Sequence, residues 1–315
     1  MTKIEWCDET WNPVTGCTKV SAGCKNCYAE RMAKRLGGRF GYPPAPDQFK
    51  VTLHPELLNK PARWRKPRRV FVNSMSDLFH EDVPENFIVQ IFITMSMSRR
   101  HTYLILTKRP ERMLQFVGCW VDAHKSPLPN VWMGVSVEDQ KTANERLPIL
   151  AQIPAAKRFV SCEPLLGAVD LFRAMGEPSD EDWDVVNAID DDNEPEEFVE
   201  ECEAECDWIN YSNRLVRNPE YREWENWRWM RARLAKLERT IDWVIVGGES
   251  GPGARPMDLE WAESIVIQCQ DVGIPVFVKQ LGGYPDKRNR MEEWPEELRV
   301  RQWTEYPTSP MKTEE

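Results

Sequence analysis

Short runs of β-branched and aromatic residues, each followed by a helical stretch, constrain this chain more than any other feature. The clearest are Arg69–Asn73, Thr102–Thr107, Val131–Ser136, Lys157–Ser161, Trp243–Gly247 and Pro275–Lys279. Nearly continuous apolar strands of this length are those buried on both faces, as in parallel sheets. Between them, apolar residues return at helical spacing. Pro84–Arg99 carries Phe87, Ile88, Ile91, Phe92 and Met95 on one face, and Asp258–Val272 carries Leu259, Ala262, Ile265, Val266 and Cys269. Tyr28–Leu36 stops at Gly37-Gly38, and Arg109-Pro110-Glu111 opens a short helix. The alternation predicts an α/β fold with a parallel sheet. Six or seven such units, with no Gly-rich dinucleotide fingerprint after the first strand, favour a β/α barrel or partial barrel over a doubly wound sheet.

The pattern breaks between the fifth and sixth strands. Residues 174–208 hold 16 Asp or Glu and no Lys or Arg, and Asn218–Arg239 reads as a helix rich in Arg and Trp. The expected organisation is a barrel core over 1–172 and 241–290, an acidic and helical insertion over 173–240, and a tail over 291–315. The net charge of −10 argues at face value against nucleic acid. The acidic block contributes −16 of it, which leaves the rest of the chain at +6. Nucleic acid or a nucleotide therefore stays open as a substrate class, and the insertion could equally dock a protein partner. No apolar leader opens the chain and no run reaches the roughly 18–20 apolar residues of a membrane span, so a soluble, cytoplasmic protein is expected. The nine cysteines are an odd number in a chain too large to need staples. They read as thiols, metal ligands or reactive groups rather than a disulfide framework.

Cys17, Cys24 and Cys27 form the strongest constellation, C-x6-C-x2-C in a glycine-bearing loop that leads into a helix. Thiolates are soft ligands for zinc or iron–sulfur clusters, and a helix N-terminus beside Cys27 favours the thiolate. Three readings compete: a [4Fe–4S] cluster with one iron left open, zinc with Cys7 as fourth ligand, and unliganded thiols. A second constellation lies at predicted strand ends: Asn73, Ser74, Ser76 and Asp77; Thr107 and Lys108; Ser136 and Glu138; Glu163; Glu249 and Ser250; Lys279 and Gln280. Reacting groups of a β/α barrel gather at that end. Gly247 and Gly248 open the most glycine-dense stretch, whose backbone N–H groups can approach an anion or cofactor closely. It is not a P-loop, because Gly-Lys-Ser/Thr is missing. Cys202 and Cys206 read as free thiols, and Trp224, Trp227 and Trp229 as a helix packing face.

The motifs WNPVTGCTKVSAGCKNCYAERMAKRL, FVNSMSDLFHEDVP, LTKRPERM, VWMGVSVEDQ, SCEPLLG, DWVIVGGESGPGARPM and FVKQLGG occur in that order. Together they resemble the phage- and mobile-element-associated three-Cys-motif proteins, relatives of radical S-adenosylmethionine enzymes, with spore photoproduct lyase as a distant analogue. The resemblance implies a TIM-like radical-enzyme barrel in which Cys17, Cys24 and Cys27 ligate a [4Fe–4S] cluster and the open iron binds S-adenosylmethionine. It implies that Ser74, Ser76 and Asp77 help to hold the cofactor. Lys108, Ser136, Glu163 and Glu249 would line the barrel mouth, with Lys108, Glu163 and Glu249 as the catalytic candidates. Radical S-adenosylmethionine enzymes mostly use C-x3-C-x2-C, so the first loop here is longer.

Overall fold

A computed structural model describes residues 4–176, 236–237 and 240–304. Cys202, Cys206, the Trp224–Trp229 cluster and nearly all of the acidic block lie outside the described residues. Among the described residues the strands are β1 (Glu9–Trp11), β2 (Val14–Thr15), β3 (Thr52–Leu53), β4 (Arg69–Val72), β5 (Thr102–Thr107), β6 (Val131–Ser136), β7 (Lys157–Cys162), β8 (Trp243–Gly247) and β9 (Val276–Gln280). The α-helices are α1 (Tyr28–Leu36), α2 (Glu85–Met97), α3 (Pro110–His124), α4 (Gln140–Gln152), α5 (Leu171–Ala174) and α6 (Leu259–Asp271).

The fold is mixed α/β. One seven-stranded sheet runs in the order β1-β4-β5-β6-β7-β8-β9, and β2 pairs with β3 antiparallel. The large sheet follows chain order without reversal, as in a partial β/α barrel; a doubly wound sheet would reverse at a switch point. The break in the sequence pattern falls between β7 and β8, the fifth and sixth strands of that sheet.

Three elements differ from the sequence expectation. β1 is not among the six clearest runs, because three residues carry too little pattern; it is fixed by parallel pairing of Glu9 with Val70 and Trp11 with Val72. α3 is not short but runs for 15 residues, because Met113, Phe116, Val117 and Trp120 bury a continuous stripe beyond the Pro110 start. α4 is polar and contains Pro148, yet Ala143, Leu147 and Leu150 are buried along it.

The chain divides into two compact units. The first comprises residues up to Ser136, 152–159 and the stretch from Gln302. Its core is aromatic: Phe92 meets Phe116 at 4.9 Å and Trp120 at 5.1 Å. Full burial of a ring such as Phe92, 1% exposed, contributes about 1.5–3 kcal/mol of transfer free energy. The second unit comprises Val137–Ala151 and Val160–Arg301. Trp243, Ile265, Val266 and Phe277 fill it, with Cys162 and Cys269 fully buried among them. Burial pushes the Cys162 thiol up to about 12 and raises Cys269 in the same sense, so both are inert packing groups.

His101, 1% exposed, carries a pH-dependent part of the stability of the first unit. Burial holds its pKa below the ordinary imidazole value, as do the charges of Arg100 and Arg68, against a hydrogen bond with the Pro61 carbonyl at 3.1 Å. A lowered folded pKa means that the unfolded chain takes up the proton first. The contribution is therefore present above about pH 6.5 and is lost as pH falls through the folded value. Urea melts should show a lower midpoint near pH 5 than near pH 7. His101→Phe, which keeps the ring contacts, should flatten part of that dependence; an unchanged slope would assign the effect elsewhere.

Candidate functional site

The cysteine loop begins at Gly16, and only glycine fits there. Its φ is +86°, and a Cβ would lie 2.2 Å from the Lys50 carbonyl oxygen. Gly16 N donates to Met75 O at 3.0 Å and Cys17 N to Phe49 O at 3.1 Å. Ser76 Oγ donates to Val14 O at 3.0 Å, and Ser74 Oγ to Asn12 Oδ1 at 3.1 Å. Both hydroxyls thus donate inside the protein, tying the segment after β4 to the segment before the cysteines.

Asp77 joins the loop after β4 to the end of β5. Its carboxylate accepts from Phe79 N at 3.0 Å, Thr107 Oγ1 at 2.7 Å, Lys108 N at 3.1 Å and Arg109 Nη1 at 3.2 Å. Arg109 spreads from there. Nη1 also reaches Cys17 Sγ at 3.6 Å, Nη2 donates to Thr18 Oγ1 at 2.8 Å, and Nε donates to Glu81 Oε2 at 3.0 Å. His80 Nδ1 accepts from Asp82 N at 3.1 Å, so the other ring nitrogen carries the proton and donates to Thr18 Oγ1 at 2.8 Å. The Asp77 and Arg109 side chains are only 8% and 12% exposed. Removing one partner of so enclosed a pair costs about 3–5 kcal/mol.

These surroundings split the thiols. Burial, then the Asp77 charge, push Cys17 up to about 11, with Arg109 opposing. Cys24 goes the other way. Burial raises it, but hydrogen bonds from the backbone at Val20 and Ser21, with the Lys108 charge, bring it below the ordinary thiol value. Cys27 is the N-cap residue of α1. As the side chains stand, no three Cys, His, Asp or Glu groups among the described residues converge to hold a metal ion, so ligation needs the sulfurs to come closer together. The donor chemistry otherwise suits a cluster: three soft thiols on one loop, with the charge of Arg109 acting on Cys17 and that of Lys108 on Cys24.

Cys7 is not part of this group. Asp8 N bonds Arg69 O at the start of β4, whereas Gly16 N bonds Met75 O beyond its end. β1 alone separates the two levels by about 10 Å at ~3.3 Å per residue. Ligands of one zinc ion sit about 2.3 Å from it, so Cys7 does not complete a site with the loop.

The remaining predicted residues belong mainly to the second unit. Glu163, just past β7, receives Lys279 Nζ of β9 at 2.5 Å. Glu249, just past β8, accepts from Arg255 N and Nε, each at 2.9 Å, and from Nη2 at 2.6 Å. The loop that begins at Gly247 and Gly248 is thereby closed on a carboxylate of its own. A Cβ at Gly248 would lie 2.5 Å from Leu281 O, while one at Gly247 would only touch Glu163 at 3.4 Å. Glu138 pairs with Arg146 at 3.1 Å, both almost fully enclosed. Ser136 is a buried last residue of β6 in the first unit.

Arg109, Thr18, His80 and Glu81 join the site although the sequence pattern does not mark them. Arg109 does succeed the strand-end pair Thr107-Lys108 directly, and that adjacency is the signal that points to it.

The split between thiols is measurable. Under limiting iodoacetamide at neutral pH, Cys24 should be alkylated well before Cys17, as mapped by mass spectrometry. Asp77→Asn should lower the Cys17 pKa and narrow the gap. Cys17 reacting first would contradict this electrostatic account.

No curated protein and no solved structure matches the chain. A family model described as "Protein of unknown function (DUF5131)" matches residues 1–307. That is nearly the whole sequence, and the chain belongs to this family.

Proposed function

We propose that the protein is an iron–sulfur, radical S-adenosylmethionine-like enzyme of the phage and mobile-element type, acting on nucleic acid or a nucleotide. One observation carries this reading: three thiols share a loop at the carboxyl ends of parallel strands, and Cys7 lies at the opposite ends. Three thiolates leave one iron of a four-iron cluster without a protein ligand, and the four-cysteine zinc site that would need Cys7 is not assembled.

Cys17, Cys24 and Cys27 would hold the [4Fe–4S] cluster. Its chemistry, when bound, is one-electron reduction of S-adenosylmethionine. The chain's own residues supply position and charge. Arg109 and Lys108 offset negative charge on the sulfurs, and Asp77 fixes both where they leave β5. Ser74 and Ser76 act as positioning residues, since they anchor the root of the loop. In the second unit, taken by itself, Glu163 pairs with Lys279 and Glu249 with Arg255. Gly247 leaves space beside Glu163.

Anaerobic reconstitution tests the reading. About four irons and four sulfides per chain are expected. They should be lost in Cys17→Ala, Cys24→Ala or Cys27→Ala and kept in Cys7→Ala. Reduced, loaded protein should release 5′-deoxyadenosine from S-adenosylmethionine. Stoichiometric zinc that iron does not replace, or loaded protein that forms no 5′-deoxyadenosine, would contradict it.

A further inference from the structure

A different charge cluster occupies the amino ends of β4 and β5. Residues 60–69 read Lys-Pro-Ala-Arg-Trp-Arg-Lys-Pro-Arg-Arg, six cations in ten residues and no acid. Arg99 and Arg100 precede β5. The fold joins the two segments. Thr102 N donates to Arg68 O at 2.9 Å, His101 Nε2 meets Pro61 O at 3.1 Å, and Trp64 packs on the edge of His101 at 5.6 Å.

Four of these eight cations are engaged. Arg68 pairs with Glu9 at 3.1 Å, Arg69 lies 3.5 Å over the Trp303 ring, and Lys60 donates to Thr10 O at 3.1 Å. Arg99 Nε donates to Ser96 O at 3.2 Å and leaves the rest of its guanidinium outward. Arg63, Arg65, Lys66, Arg99 and Arg100 are exposed and have no carboxylate partner among the described residues. Cations presented on two neighbouring segments sum to a positive field that favours an anion.

We propose that this face binds the phosphate backbone of nucleic acid through Arg63, Arg65, Lys66, Arg99 and Arg100. Four of the five are arginines, whose planar fork matches phosphate oxygens. Two neighbouring segments present them, so successive phosphates along a strand can be met together. The exposed residues between the cations in the first segment are Ala62 and Pro67, not the Trp, Phe or Leu that a membrane-surface anchor adds. Trp64 is half-buried, with Lys60 Nζ 5.6 Å from its ring. The cysteine loop lies past the carboxyl end of these strands, and β5 alone spans about 20 Å. The proposal therefore stands independently of the cluster.

Fluorescence anisotropy of the full chain with a labelled DNA duplex tests it. Five phosphate contacts predict a slope of about −4.5 in log K against log salt, a roughly 500-fold loss between about 50 and 200 mM. Arg65→Ala/Lys66→Ala and Arg99→Ala/Arg100→Ala should each reduce that slope by about two and weaken binding at low salt about tenfold or more. Cys119→Ala, an exposed thiol outside both sites, should leave binding unchanged. All substituted cations are exposed, and thermal melts check that each variant folds. No binding, or equal affinity in the wild type and both double variants, would overturn the assignment. So would binding to phosphatidylserine vesicles without binding to the duplex.

Discussion

The Asp77 carboxylate is the group on which the first unit's site depends. It sits in the loop after β4 and receives hydrogen bonds from both its own loop and the end of β5. Thr107, Lys108 and Arg109 are consecutive, so one carboxylate fixes the direction in which the chain leaves β5. Arg109 then extends that order to Cys17, Thr18 and Glu81. A side chain carrying five donors is suited to such a hub, because each bond constrains the same planar group. The same hub reaches the start of the cysteine loop, where Gly16 N and Cys17 N are bonded to Met75 O and Phe49 O.

The same network sets the electrostatics. Asp77 disfavours a second negative charge at Cys17, and Arg109 only partly compensates. Backbone amides and Lys108 favour that charge at Cys24. One loop thus presents thiols of different proton affinity from a single stretch of sequence. A bound metal centre would withdraw the remaining protons, since thiolates and not thiols are the ligands.

Much of this fold is legible in the sequence because strands buried on both faces leave long apolar runs. β5, β6 and β8 match their sequence runs from end to end. β1 is not legible, since its three residues become a strand only through pairing with β4. α4 is hidden by Pro148 and by a polar composition whose few apolar residues face inward. The cysteines announce themselves by spacing. Arg109 does not, because Arg-Pro-Glu already has a sufficient local explanation as a helix start. Its partners lie at residues 17, 18, 77 and 81, and no local pattern encodes that convergence. Ser74 and Ser76 show the converse: residues at the expected strand end whose hydroxyls donate within the protein. The amino-end arginines are equally silent in sequence, because Arg63–Lys66 and Arg99-Arg100 stand more than 30 residues apart and only the pairing of β4 with β5 brings them together.

The central claim is that Cys17, Cys24 and Cys27 act together as a three-thiol centre from which Cys7 is excluded. Alkylation footprinting of unfolded-quenched samples, with and without anaerobic iron and sulfide loading, measures this most directly. The account predicts that loading protects Cys17, Cys24 and Cys27 in parallel and leaves the protection of Cys7 and Cys119 unchanged. Protection gained at Cys7 together with the loop, or at none of the three loop cysteines, would contradict it.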